Sequence, residues 1–159
     1  MNNRLRFIIQ GGIIAAIYAV LTILFAPISY GQGLVSVRIS EALTILPFFT
    51  PAAIPGLFVG CILANIYGGL GLVDIVFGSL ATLVAAALTY GIRKYKWIAP
   101  LPPVIINGIV VGIILHVLYD YPLVISMISV GFGQAIACYF LGMPLLLSLE
   151  KYGKKLFHN

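Results

Sequence analysis

Charge is scarce in this chain. Nine Lys or Arg and four Asp or Glu make up 8% of 159 residues, where an ordinary soluble domain carries about a quarter. Cysteine is scarcer still: Cys61 and Cys138 each sit inside an apolar run, which excludes a disulfide framework or a Cys/His zinc cluster and leaves two small buried side chains. No Gly-x-Ser-x-Gly, His-Glu-x-x-His or phosphate-loop pattern occurs, so hydrolysis and nucleotide-driven work have no seat here. The net charge of +5 is broken into short clusters between apolar runs, which speaks for membrane orientation and against nucleic-acid binding. What is abundant is apolar surface: 62% hydrophobic residues and a mean hydropathy of +1.13. These values describe an all-α membrane protein, with residues 1–159 as one transmembrane domain and no room for a soluble one. The apolar run 7–28 behind Arg4 and Arg6 is too long for a signal peptide, and Pro27-Ile28-Ser29-Tyr30 lacks the small-residue cleavage pattern.

Six spans are expected, at residues 7–28, 37–49, 52–67, 72–92, 100–118 and 123–149. The second is short and bracketed by Pro47 and Pro51. Glycine-rich turns follow the first span (Gly31, Gly33) and the third (Gly68-Gly69-Leu70-Gly71), and Asp120-Tyr121-Pro122 precedes the last. Basic clusters at Arg4/Arg6, Arg93/Lys94/Lys96 and Lys151/Lys154/Lys155 fall on one side of the membrane if four spans and then two separate them. Both termini are then cytoplasmic in a multi-pass cell-membrane protein. A four-span fold, with 37–67 as one broken re-entrant element, has the same parity.

Ionisable groups inside hydrocarbon are costly and point to function. At 1.5 Å per residue, Glu41, Asn65, Asp74 and His116 fall roughly 3–6 Å from the outer ends of their spans, whereas Asn107 and Gln134 lie about 16–17 Å deep. The expected shape is an outward-opening polar cup with a neutral amide floor over a dry inner half, which disfavours a continuous pore. Such a neutral floor favours uncharged ligands. Alternatives remain at each position. Arg38 and Glu41 can form an ion pair one turn apart, Asn65 and Asn107 can join helices, and His116 with Asp120 can form an interfacial hydrogen bond, two ligands being too few for a metal. In the inner half of span one, Gly11, Ala15 and Ala19 recur every fourth residue, with Gly12 and Ala16 alongside. The stripe suits close helix approach, either within the chain or to a partner.

Four blocks in order carry a resemblance: Val37-Arg38-Ile39-Ser40-Glu41-Ala42-Leu43-Thr44, Thr50-Pro51-Ala52-Ala53-Ile54-Pro55-Gly56-Leu57-Phe58, the run from Asp74-Ile75-Val76-Phe77 to Leu83, and Ala99-Pro100-Leu101-Pro102-Pro103-Val104. The chain resembles the QueT family, the queuosine-precursor-specific substrate-binding (S) components of energy-coupling factor (ECF) transporters. The resemblance implies a six-helix S-component fold, a 7-deazapurine substrate, and partners consisting of a transmembrane coupling protein and two ATPase subunits. No cofactor and no enzymatic activity are implied. Substrate contacts are then expected from Tyr30, Arg38, Glu41, Asn65, Asp74, Asn107, His116 and Gln134, with Tyr30 covering the site. Docking on the coupling protein is expected from Gly11, Ala15 and Ala19. The rival readings are an S component for another purine-like or vitamin-like molecule, a membrane enzyme using His116 and Asp120, and a structural assembly subunit.

Overall fold

The computed structural model describes residues 2–30 and 37–152, and all regular structure among them is helical. The expected turn at Gly31 and Gly33 and the basic pair Lys154/Lys155 lie outside the described residues. Helix α1 (Asn3–Leu24) starts where the Asn2 side chain accepts the Arg4 backbone N–H at 3.3 Å. It breaks at Phe25, two residues before Pro27, and the chain continues as a single short helix α2 (Ala26–Ser29) with that proline in its first turn. A 3-10 helix (Ile39–Phe48) follows, then α3 (Ala53–Tyr67), α4 (Asp74–Gly91), α5 (Leu101–Tyr119) and α6 (Leu123–Tyr152). Two stretches depart from α geometry: the first turn of α4, Asp74–Gly78, and the middle of α6, Ile136–Gly142, are π-helical. Helix α5 ends at Asp120, which adopts a left-handed conformation (φ 53°). Gly69 and Gly71 supply the positive φ that the α3–α4 turn needs.

Among the described residues, four helices are long and apolar enough to cross a membrane: α1, α4, α5 and α6. The 3-10 helix and α3 are apolar but shorter. Helix α1 packs on α3, α3 on α4, α4 on α5 and α5 on α6, while the 3-10 helix lies inside, touching α1, α3, α4 and the π segment of α6. Its interior position explains its composition. Every residue from Ser40 to Pro47 is buried, so an apolar face turned away from water is not needed. Helices on the outside present apolar side chains outward, such as Ile13, Ile17 and Val20 on α1 and Ile105, Ile109 and Ile113 on α5. This is the distribution of a bundle surrounded by lipid.

The small-residue stripe of α1 is used inside the chain. A Cβ on Gly60 of α3 would lie 2.9 Å from the Ala15 carbonyl oxygen and 2.9 Å from the Tyr18 Cβ, and one on Gly56 would lie 2.7 Å from the Gly11 carbonyl oxygen. Gly11, Ala15 and Ala19 are all buried. The contacts at Gly11 and Ala15 are the packing within the chain that the stripe also allows, made against α3. Gly12 and Ala16 occupy the outward face.

Candidate functional site

One cavity lies among the 3-10 helix, α4, α5 and α6, and its walls follow from two helical periods. On the 3-10 helix, residues three apart stack in register, so Arg38, at its N-terminal boundary, and Glu41 reach the cavity together. On the other helices, residues four apart share a face: Asp74, Gly78 and Thr82 on α4, Asn107 and Val111 on α5, Val130 and Gln134 on α6. The space between these walls is about 450 Å³, including the part open to the outside.

Glu41 organises the polar contacts. It is 2% exposed and accepts three hydrogen bonds: from the Tyr18 hydroxyl on Oε1, and on Oε2 from Gln134 Nε2 at 3.0 Å and Asn107 Nδ2 at 3.4 Å. Tyr18 is held in turn by its neighbours. The Thr22 hydroxyl lies 2.8 Å from the Tyr18 carbonyl oxygen and 2.6 Å from the Ser40 hydroxyl, tying α1 to the 3-10 helix. Arg38 does not pair with Glu41. Its guanidinium donates to Asn65 Oδ1 at 3.1 Å, and the Asn65 amide donates to the Asp74 backbone carbonyl at 3.1 Å. Tyr30 stands behind Arg38, 5.8 Å from ring centroid to guanidinium, with its hydroxyl donating to the Ala64 carbonyl at 2.5 Å. Burial raises the Tyr30 phenol above its ordinary pKa, and the neighbouring guanidinium pulls the other way.

Of the eight residues expected to meet substrate, five line the cavity: Arg38, Glu41, Asp74, Asn107 and Gln134. Asn65 and Tyr30 stand one step back, against Arg38. His116 is apart from the cavity, exposed near the end of α5, where its Nδ1 lies 2.7 Å from the Tyr121 carbonyl oxygen. The two-level depth scheme needs correction as well. Glu41 shares a level with Asn107 and Gln134, because the 3-10 helix begins inside the bundle and not at its rim, so counting from its first residue underestimates depth. The floor consequently holds a carboxyl group beside its two amides. Sequence reasoning missed Tyr18, whose signal was its place as the sole tyrosine of the first span. It also missed Gly78 and Thr82, readable as the continuation of Asp74 at intervals of four. Among the described residues no group of three or more His, Cys, Asp or Glu could hold a metal. The chemistry on offer is hydrogen bonding and charge.

Residues 8–151 match the QueT transporter family, nearly the whole chain. The chain belongs to that family. No curated protein and no solved structure matches it. For a QueT transporter, a polar cavity within an apolar helical bundle is the natural candidate for the place where a small molecule is held. The matched region contains every residue named for the cavity.

Proposed function

We propose that this chain is the S component of an ECF-type importer that captures a queuosine precursor, a 7-deazaguanine-type base, from outside the cell and delivers it with the help of a coupling protein and two ATPase subunits. The observation that carries this reading is the Glu41-centred cavity: five ionisable or amide side chains converge in the interior of a membrane bundle. A guanine-like edge presents adjacent N–H donors next to a carbonyl. Carboxylate and amide oxygens match the donors, and the Arg38 guanidinium matches the carbonyl. In this reading the chain crosses the membrane six times. The 3-10 helix, roughly 20 Å long at about 2 Å per residue, and α3, roughly 22 Å at about 1.5 Å, serve as short crossings, and both termini are cytoplasmic. The salt bridge from Lys96 to Glu150, 3.3 Å long, supports this arrangement because it brings the basic loop after α4 to the same end of the bundle as the end of α6.

The test is calorimetric titration of the purified protein with 7-aminomethyl-7-deazaguanine, 7-cyano-7-deazaguanine and queuine, beside native mass spectrometry for a co-purified base. Saturable binding of at least one, weakened about tenfold or more by Asp74→Asn, is expected, since a charge-assisted hydrogen bond contributes about 1.5–3 kcal/mol. No binding of any of the three, with a different small molecule co-purifying, would shift the reading to an S component for another purine-like or vitamin-like compound. A membrane enzyme is disfavoured by His116 and Asp120 lying outside the cavity. A purely structural subunit has no use for the cavity.

A further inference from the structure

We infer that Glu41 acts as a positioning residue, fixed from behind by Tyr18, and that it sets the Asn107 amide so that Asn107 Oδ1 is the acceptor for an N–H donor of the bound base. The inference rests on the binding role proposed above and names which atoms read the ligand.

A carboxylate can only accept hydrogen bonds, so any amide beside it turns its NH₂ toward it. Both floor amides do so, on the same oxygen: Gln134 Nε2 and Asn107 Nδ2 approach Oε2 at 3.0 and 3.4 Å. The other oxygen, Oε1, is taken by the Tyr18 hydroxyl. Tyr18 is fully buried and is not part of the cavity wall, so its bond secures the carboxylate without touching the space a ligand enters. With three protein donors already on it, Glu41 has little capacity left for a ligand.

The consequence falls on Asn107. Its amide is planar, so an NH₂ committed to Glu41 sends Oδ1 the other way. That oxygen is buried and has no hydrogen-bond partner, although the side chain, 5% exposed, forms part of the cavity wall. Folded proteins rarely leave a buried acceptor unpaired, because the desolvation cost is not recovered. An acceptor orphaned at a wall of the candidate site, and held in that orientation by a dedicated network, is paired when a ligand donor arrives. Rejection of a ligand lacking the donor is strong in such a site, since the orphan then stays orphaned.

Three probes test this: 7-deazaguanine, 7-deazahypoxanthine, which lacks the exocyclic amino group, and 6-O-methyl-7-deazaguanine, which lacks the ring N–H and also turns the carbonyl facing Arg38 into an ether, so that its ratio is read against the same ratio in Asn107→Leu. The parent protein should discriminate by about tenfold or more against at least one analogue. Asn107→Leu should bring that ratio to within about threefold. Tyr18→Phe, which leaves the cavity wall untouched, should also lower the ratio, yet have no further effect on it in the Asn107→Leu background, because both act through one amide. Glu41→Gln provides a second route should Tyr18→Phe fold poorly: an added donor beside Asn107 frees its amide to turn over, and the ratio should fall likewise. Binding of 7-deazaguanine without discrimination, or a ratio unchanged in Asn107→Leu, overturns the inference while leaving the functional reading standing. Additive effects of Tyr18→Phe and Asn107→Leu on the ratio overturn the positioning role. Failure of the parent to bind any of these probes overturns the functional reading and the inference with it.

Discussion

At the scale of single residues, the candidate site carries a stability cost that the proposed recognition of a ligand offsets. Asn107 lines the cavity with an unpaired oxygen, and such a group costs about 1–3 kcal/mol when buried. Asn107→Leu should therefore hold or raise the unfolding temperature of the ligand-free protein, by about 2–4 °C per kcal/mol recovered, while weakening ligand binding. Thermal unfolding followed by intrinsic fluorescence, run with and without base, checks both halves. Gln134 probes charge. Its amide lies 3.0 Å from Glu41 Oε2, so Gln134→Glu sets a second carboxyl beside the first and makes the floor more acidic. The preference for the cationic aminomethyl precursor over the nitrile should rise by about tenfold, part of the gain being lost to desolvation; competition binding on both proteins measures it. Most of the polar residues that line the cavity were legible in the sequence because an apolar background makes each polar side chain conspicuous. Their contacts were not. Arg38 and Glu41 sit at ion-pair spacing, but each found partners on other helices, and sequence spacing carries no information about those.

At the scale of elements, the site depends on departures from the α-helix. Most of the helices were evident from apolar runs and their breakers, with ends within a few residues of those observed. The 3-10 geometry of Ile39–Phe48 and the π turns were invisible, since hydropathy is the same whatever the period. They nevertheless place the chemistry: the 3-10 helix stacks Arg38 over Glu41, and the π turn at Asp74–Gly78 contributes two of the α4 wall residues. The α1–α3 contact was half legible. The four-residue spacing of small residues announces a close approach but does not name the partner, and α3 turned out to be that partner. Gly60→Leu should accordingly fail to fold or lose its ligand, because the added side chain meets backbone and the Tyr18 Cβ at 2.9 Å and so displaces the anchor of Glu41. Gly12→Leu faces open space and should retain folding and ligand affinity within a few-fold. Size-exclusion profiles and titration of both variants distinguish the cases, and loss of uptake in Gly12→Leu with binding intact would place a partner contact on the outward face of α1.

At the scale of the whole molecule, polar and apolar regions are divided by depth and by direction. The exposed basic residues Arg93, Lys94 and Lys151 lie at the end joined by the Lys96–Glu150 pair. That pair is about 40% exposed and contributes little stability, so its value is topological. Reporter fusions to the two termini should both read as cytoplasmic, and a cysteine placed at Arg93 should react with a membrane-impermeant thiol reagent only after the inner face is opened. The number of crossings rests on the 3-10 helix and α3, and α3 is not wholly interior: Val59, Leu63 and Ile66 are exposed along it. A helix of 15 residues reaches roughly 22 Å, some 8 Å short of an average hydrocarbon core. In the six-crossing reading proposed above, lipid beside α3 must thin, or the helix ends must be drawn below the headgroups, and each ångström of mismatch has a modest elastic cost. The bundle therefore carries a thickness preference on one flank only. It should sit most comfortably in thin or short-chain membranes and, in thicker ones, gather where another protein relieves the deformation along that side.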